Sequence, residues 1–397
     1  MTFIYDIVNL QFVLIVYFLV VCYLRLDLLR SFLVLGHIIS IFLLNDVLFD
    51  SSYWGDQHRY LGVTKNVREA VISLEGIFSV GGASRILWPC YVFGFSPIPF
   101  INSVQSIAMI NFLLYLFLFF YLKKKKVSSN SVDFFFLLYP SFLLYSSLAL
   151  RETLITLLMI LSLYFFIIEE KRFTALLFTL PLIVIKIQNF LILILSYVFT
   201  TFYRKGSPYR LLIIFGSIVL VVFYGNDISL IDFFITKIDY YRWNLIAENF
   251  GYNWDFMANY DYQPFEAGLP MVFLAIKSFF YMLFKPFPWE VTNIVQLIQS
   301  VENFVIAGLI IWVLKKRIRA PFIKKKVLFL NLLLIFSMII YGLVTFNFGT
   351  AARFRFPFIV AYLVFYLYLL KSDKIISGQF FRDYSSKRAF SSTRKIF

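Results

Sequence analysis

Residues 101–126 read INSVQSIAMINFLLYLFLFFYLKKKK, which is 22 residues without a charge followed directly by four lysines. A helix needs roughly 20 mostly apolar residues to cross a membrane, and lysines collect on its cytoplasmic side. The whole chain of 397 residues has the same character, with 61% apolar residues, 15% charged residues and a mean hydropathy of +0.81. A soluble domain is about 45–50% apolar and about 25% charged. The sequence therefore predicts an all-α, polytopic integral membrane protein.

The same length and polarity criteria predict eleven membrane spans. They are 8–24, 31–49, 101–122, 132–149, 152–168, 173–187, 189–203, 210–225, 291–314, 327–346 and 355–371. Two further apolar segments, 86–98 and 269–287, are short or interrupted by prolines. We expect these two to be re-entrant or half-membrane segments on the outer face, lining a wet cavity. The alternative is that both cross fully, which gives twelve or thirteen spans.

Basic residues set the predicted orientation. Placing six basic clusters in the cytoplasm accounts for 25 of the 37 Lys and Arg residues and puts the N-terminus outside. The result is one transmembrane domain, residues 1–371, followed by a flexible, basic cytoplasmic tail, residues 372–397, drawn to anionic lipid. Two long outer loops, 50–85 and 225–268, are rich in acidic and aromatic residues. The N-terminus has no basic region or cleavage site, so no removable signal peptide is expected.

Several function classes are disfavoured by composition. The net charge of +15 is explained by the cytoplasmic clusters, so no nucleic acid partner is expected. Two Cys and two His residues argue against a disulfide framework and a metal centre. The chain also lacks a Walker motif and a Gly-x-Ser-x-Gly motif. We expect no metal and no other cofactor.

Cations at the outer helix ends are the strongest indication of a site, because ionisable groups at membrane depth are costly and usually functional. Arg353 and Arg355 follow a Gly-Thr turn and are expected in the first turn of a helix, where an anion such as pyrophosphate binds. The other candidates for this pyrophosphate site are Arg151, Lys186, Arg242 and Arg85. The alternatives are an Arg151–Glu152 pair that caps a hairpin, a snorkelling Lys186, and pairing of Arg353 and Arg355 with loop acids.

Three acidic or basic side chains are candidates for a general base. Asp56 and His58 are two residues apart near an outer helix end, and Glu152 follows Arg151. In the second outer loop, Trp243, Trp254 and Tyr260 are candidates for stacking against a sugar ring. The alternative for these aromatic residues is the interfacial belt of any membrane protein.

Three short motifs resemble stretches of membrane proteins from polysaccharide clusters: Leu148-Ala-Leu-Arg-Glu152, Lys285-Pro-Phe-Pro-Trp-Glu290 and Asn347-Phe-Gly-Thr-Ala-Ala-Arg353. With the size and layout of the chain, they make it similar to the Wzy-type O-antigen and capsule polymerases. That resemblance implies an enzyme of the bacterial inner membrane that joins undecaprenyl-pyrophosphate-linked repeat units on the periplasmic face. It also implies a polysaccharide chain-length regulator as a partner besides membrane lipids.

Two other functions remain open at this point. A C-type glycosyltransferase would take one sugar from a polyprenyl-phosphate donor and depend on an Asp of the first outer loop: Asp46, Asp50 or Asp56. A flippase for lipid-linked oligosaccharides would place cations along a central path and show repeat symmetry, and neither is evident in the sequence.

Overall fold

The structure, a computed structural model, describes residues 2–49, 55–73, 80–81, 84–202, 229–250, 264–266, 268–345 and 348–393. It is 84% helical, and the described residues contain no strand. Seven helices in the described part of the chain are long and apolar enough to cross a membrane. They are Ile4–Leu24, Leu28–Asn45, Val104–Lys124, Pro181–Thr201, Ile294–Leu314, Pro321–Val344 and Phe348–Ile376. The chain is therefore an all-α, multi-pass membrane protein.

The helices follow one another in chain order as α1 to α15. Their bounds are α1 Thr2–Leu24, α2 Leu28–Phe42, α3 Asp56–Ser73, α4 Ser84–Gly94, α5 Val104–Lys124, α6 Asn130–Leu138, α7 Pro140–Ser146, α8 Glu152–Leu163, α9 Arg172–Thr179, α10 Pro181–Phe202, α11 Ser229–Phe250, α12 Leu269–Phe284, α13 Ile294–Leu314, α14 Pro321–Val344 and α15 Phe348–Thr393. Single π turns extend α2 to Val47 and α8 to Ile168, and Pro288–Glu290 forms a short 3₁₀ turn.

Prolines break two of the predicted spans. The prediction of a single helix over 132–149 is wrong, because Tyr139 is extended before Pro140 and separates α6 from α7. The chain also breaks before Pro181, inside the predicted span 173–187. A second break lies at Lys186, whose backbone is not helical, two residues before the predicted turn at residue 188. The predicted span 210–225 lies outside the described residues.

The segments predicted as re-entrant are short helices. Segment 86–98 corresponds to α4, and 269–287 corresponds to α12, whose 16 residues span about 24 Å. This is less than the roughly 30 Å of a bilayer core. The two stretches predicted as long loops also carry helices, because α3 lies within 50–85 and α11 within 225–268.

The described residues divide into two compact units, 1–191 with 363–368, and 192–362 with 369–397. In the first unit, Arg30 and Lys123 both pair with the fully buried carboxylate of Asp133, at 3.2 and 2.5 Å. In the second unit, Asp373 accepts from the backbone N–H groups of Arg319 and Ala320. Within each unit, separate basic clusters therefore lie at one end, as the predicted orientation requires.

The basic tail predicted from residue 372 is helical as far as Thr393. Helix α15 continues through this stretch without interruption. Extending an existing helix costs much less free energy than starting a new one. A helix that begins as an apolar span therefore continues readily into the polar residues that follow it.

Candidate functional site

The segment between α7 and α8 is buried and is not helical. Every residue from Ser147 to Arg151 is at most 9% exposed, although bends replace helix over this stretch. Backbone N–H and C=O groups in such a segment have no helical partners and must find others. Side chains from three neighbouring helices supply them.

Three amide side chains hold the backbone of this segment. Asn111 of α5 donates to the carbonyl oxygens of Leu148 and Leu150, both at 2.6 Å. Asn45, in the π turn after α2, donates to the carbonyl of Ser147 at 2.9 Å. Gln57 of α3 donates to Asn45 and accepts from the N–H of Ala149. The bent conformation of residues 147–151 is thus fixed by a connected network.

His37 anchors the start of the same segment. Its Nδ1 lies 2.8 Å from the hydroxyl of Ser146, and its carbonyl accepts from Ser147. Its ring stacks on Tyr115, with 4.1 Å between the ring centroids. The sequence does carry a signal for this network, which is isolated His and Asn residues within apolar spans, but the predicted site omitted them.

Arg151 ends the segment with its guanidinium buried. Its Nη1 donates to the carbonyl oxygens of Arg85, at 2.5 Å, and Ile185, at 3.0 Å. No carboxylate among the described residues reaches ion-pairing distance of it, and its Nε has no acceptor there. The exposed hairpin pair of Arg151 with Glu152 is therefore not formed. A buried positive charge bonded only to neutral carbonyls is unusual and costly.

The kink in α10 supplies one of these carbonyls. Lys186 has φ −159° and ψ 78°, which is not helical, so the hydrogen-bond ladder is interrupted beside Ile185. Lys186 itself is half-buried at this kink. Arg85 is exposed and contributes its backbone to the contact with Arg151.

The depth of Arg151 follows from its neighbours. Asn111 lies about two turns, or about 10 Å, beyond the start of α5 and about 20 Å before its lysine-rich end. The C-terminal end of the stretch Glu152–Ile168 also lies near lysine residues. Lys125 lies over the ring of Tyr164, and Glu169, just after the stretch, pairs with Lys171. The buried segment therefore belongs to the half of the first unit away from its lysine cluster.

Arg355 has a structural role in the second unit. It is 3% exposed, and its Nη1 donates to the carbonyl oxygens of Met282, Leu283 and Lys285. These groups end α12, where the last carbonyls have no helical partner. Asn303 of α13 donates to the carbonyls of Phe284 and Lys285 in the same way.

The predicted fork of Arg353 and Arg355 at a helix N-terminus is wrong in its geometry. Helix α15 already begins at Phe348, so both arginines lie beyond its first turn. Residues two apart on a helix do not face each other. Arg353 is half-buried, whereas Arg355 is turned into the protein.

Arg242 is buried on α11, at 2% exposure. Its Nε donates to the carbonyl of Leu343 at 2.7 Å, and its Nη1 pairs with Asp239 at 3.4 Å. Asp239 also accepts from the N–H of Phe265, whose ring lies 6.0 Å from the guanidinium. Arg242 therefore joins α11 to the end of α14, away from the lysines that precede α14.

The other predicted residues are dispersed. Asp56 and His58 are exposed on α3, on either side of the buried Gln57, so the two do not face each other. Glu152 is 2% exposed at the first position of α8. Trp243 is half-buried on α11, and Trp254 and Tyr260 lie outside the described residues.

The structure divides the predicted pyrophosphate residues between the units. Arg85, Arg151 and Lys186 belong to the first unit, where Arg151 bonds the carbonyls of Arg85 and Ile185, and Arg242, Arg353 and Arg355 belong to the second. Comparisons with protein-family models, with curated proteins and with solved structures give no match for this chain.

Proposed function

We propose that the chain is a Wzy-type polymerase that joins undecaprenyl-pyrophosphate-linked oligosaccharide units on the periplasmic face of a bacterial inner membrane. The proposal includes the predicted orientation, with the lysine-rich ends in the cytoplasm. The single observation that carries it is Arg151, a buried guanidinium held by two carbonyls and not neutralised by a carboxylate among the described residues.

Such a cation suits the chemistry of the reaction. A hydroxyl of one unit attacks the anomeric carbon of the other unit, the bond from that carbon to the pyrophosphate oxygen breaks, and the pyrophosphate lipid leaves as an anion. Preorganised donors stabilise developing charge best in a site that excludes water. Arg151 has this character because the amide network fixes the segment that carries it.

The segment also offers a base. Glu152 follows Arg151 directly and is buried, whereas Asp56 and His58 are exposed on a separate helix. In the proposed reaction Glu152 takes the proton of the attacking hydroxyl. Arg353 supplies positive charge at the end of the second unit away from its lysines, where the phosphate of a lipid-linked substrate would bind. Arg242, which is paired with Asp239, holds α11 in place there.

The test is the polysaccharide ladder of cells that lack the chain. We expect lipopolysaccharide or capsule with a single repeat unit and no longer bands, restored by the wild-type chain. An unchanged ladder would contradict the polymerase. Loss of the first repeat unit as well would favour an earlier step, by a C-type glycosyltransferase or a flippase.

A further inference from the structure

The turn Lys285-Pro-Phe-Pro-Trp-Glu290 carries a flat, open aromatic surface. Trp289 is 78% exposed, and its ring lies parallel to that of Phe287, with 4.9 Å between centroids and 4° between planes. Phe287 in turn meets Tyr281 of α12 edge-on at 6.2 Å. One face of the indole is therefore covered by the Phe287 ring, and the opposite face is exposed.

An ion pair borders this surface. Lys285 Nζ lies 3.0 Å from Glu290 Oε1 and 4.2 Å from the ring centroid of Tyr281. Glu290 Oε2 accepts from the N–H of Phe287 at 3.0 Å. The pair is about one-quarter exposed on each side, so it keeps donor and acceptor capacity toward a ligand. Its net charge is zero, which suits hydroxyl groups better than a phosphate.

The turn is held in place from two helices. Asn303 of α13 and Arg355 of α15 both donate to the carbonyl of Lys285, and each also bonds the last turn of α12. Two prolines restrict the backbone between these anchors. A surface that is already ordered loses little entropy when a ligand binds.

The surface lies at the end of the second unit away from its lysines. Helix α13 begins just after the turn and ends at Leu314, next to the lysine cluster that starts at Lys315. Its 21 residues separate the two ends by about 31 Å. In the proposed orientation, the surface faces the periplasm.

We propose that the open face of Trp289 stacks against a sugar ring of the glycan, with Lys285 and Glu290 bonding to its hydroxyl groups. The apolar C–H face of a pyranose suits an indole, and its rim of hydroxyls suits a neutral pair of charges. This inference rests on the proposed function, since it assigns a saccharide subsite to the same enzyme. Trp289 was not among the predicted stacking residues, although its motif was noted in the sequence.

The competing explanation is a tryptophan that anchors the chain at the membrane interface. An interface anchor needs neither a parallel ring beneath it nor a carboxylate at its edge. Trp312, near the opposite end of α13, provides the comparison. It is 46% exposed, and Lys316 lies over its ring at 4.9 Å.

The experiment is fluorine NMR on the full chain in lipid nanodiscs, with 5-fluorotryptophan at the six tryptophans. Trp289→Phe and Trp312→Phe assign the two signals. The probes are the methyl glycosides of glucose, galactose and N-acetylglucosamine. We expect at least one of them to shift the Trp289 signal in a saturable way and to leave the Trp312 signal in place. Phe287→Ala removes the ring that lies parallel to the indole. We expect it to raise the glycoside concentration at half-saturation about tenfold.

Either of two results would contradict the saccharide subsite. If none of the three glycosides shifts the Trp289 signal, or if both signals shift together, the subsite proposal fails. A lipid spin-labelled at its headgroup would then be added. If it relaxes the Trp289 signal as strongly as the Trp312 signal, Trp289 is a membrane anchor. The titration needs no polymerisation, so its failure leaves the ladder test of the polymerase untouched, and a negative ladder test leaves the titration interpretable.

Discussion

The guanidinium of Arg151 donates a 3.0 Å hydrogen bond to the carbonyl oxygen of Ile185, directly before the break that Lys186 makes in α10. Each feature explains the other. The break frees a carbonyl, and the arginine gives that carbonyl the partner that a membrane interior cannot supply. The same nitrogen also bonds Arg85, so one buried side chain joins the start of α4, the start of α8 and the kink of α10.

Asn111 tests whether the amide network holds the buried segment. Asn111→Leu keeps the volume but leaves the carbonyls of Leu148 and Leu150 without their donor. Each unpaired buried group costs about 1–3 kcal/mol, so the melting temperature of the purified chain in detergent should fall clearly. Asn102→Leu, at a half-buried position on the chain just before α5, is the control. Equal melting temperatures of the two variants would show that Asn111 does not hold the buried segment.

Gly342 tests the contact between α12 and α14. A Cβ at this position would clash with the carbonyl oxygen of Ser278, so the two backbones must separate to admit it. We expect Gly342→Ala to destabilise the chain by about 1–3 kcal/mol, seen as a lower melting temperature. Gly308→Ala on α13 meets nothing within 4 Å and should melt like the wild type or slightly higher. A stable Gly342→Ala chain would show that these helices are not so close.

Asp133 tests the ionic cluster at the lysine end of the first unit. Asp133→Ala removes the shared partner of Arg30 and Lys123 and leaves partly buried cations behind. Breaking a buried pair in this way costs about 3–5 kcal/mol. Lys171→Ala removes an exposed pair with Glu169 and should cost about 1 kcal/mol or less. Thermal melts that rank the two variants in the opposite order would overturn this assignment.

We expect the alanine variants of Arg353 and Arg355 to impair the protein in different ways. Arg355→Ala unties the end of α12 and should lower the amount of folded protein in membranes. Arg353→Ala, at a half-buried position, should keep the protein level and shorten the polysaccharide ladder. Immunoblots of membrane fractions, run beside the ladders, separate the two effects. Normal levels of both variants would mean that Arg355 is not structural.

The all-α, multi-pass architecture could be predicted because apolar stretches and basic clusters are properties of the sequence alone. Asp133 brings the basic clusters around Arg30 and Lys123 together, and Asp373 lies against Arg319 of the densest cluster, whereas the cytoplasmic placement of all six clusters stays a prediction. The helix breaks at Pro140 and Pro181 were missed because hydropathy averages over a window and does not register a single proline.

The candidate site was predicted only in part. Arg151 was selected for its charge, but its burial depends on Asn45, Gln57 and Asn111, which are far apart in the sequence. Arg353 and Arg355 were grouped because they are neighbours in sequence, whereas helix geometry turns them to different sides. Long-range partners of this kind cannot be deduced from the spacing of one sequence.

The most direct measurement of the central claim is the ladder of cells that carry Arg151→Ala in place of the wild-type chain, at matched protein level. We expect loss of the longer bands, corresponding to a rate reduced about 10²–10³-fold. Arg151→Lys, which keeps the charge but not the guanidinium, should restore them at most partly. Arg59→Ala removes an exposed arginine on α3 and should leave the ladder intact. A wild-type ladder with Arg151→Ala would contradict the assignment of Arg151 to the leaving pyrophosphate.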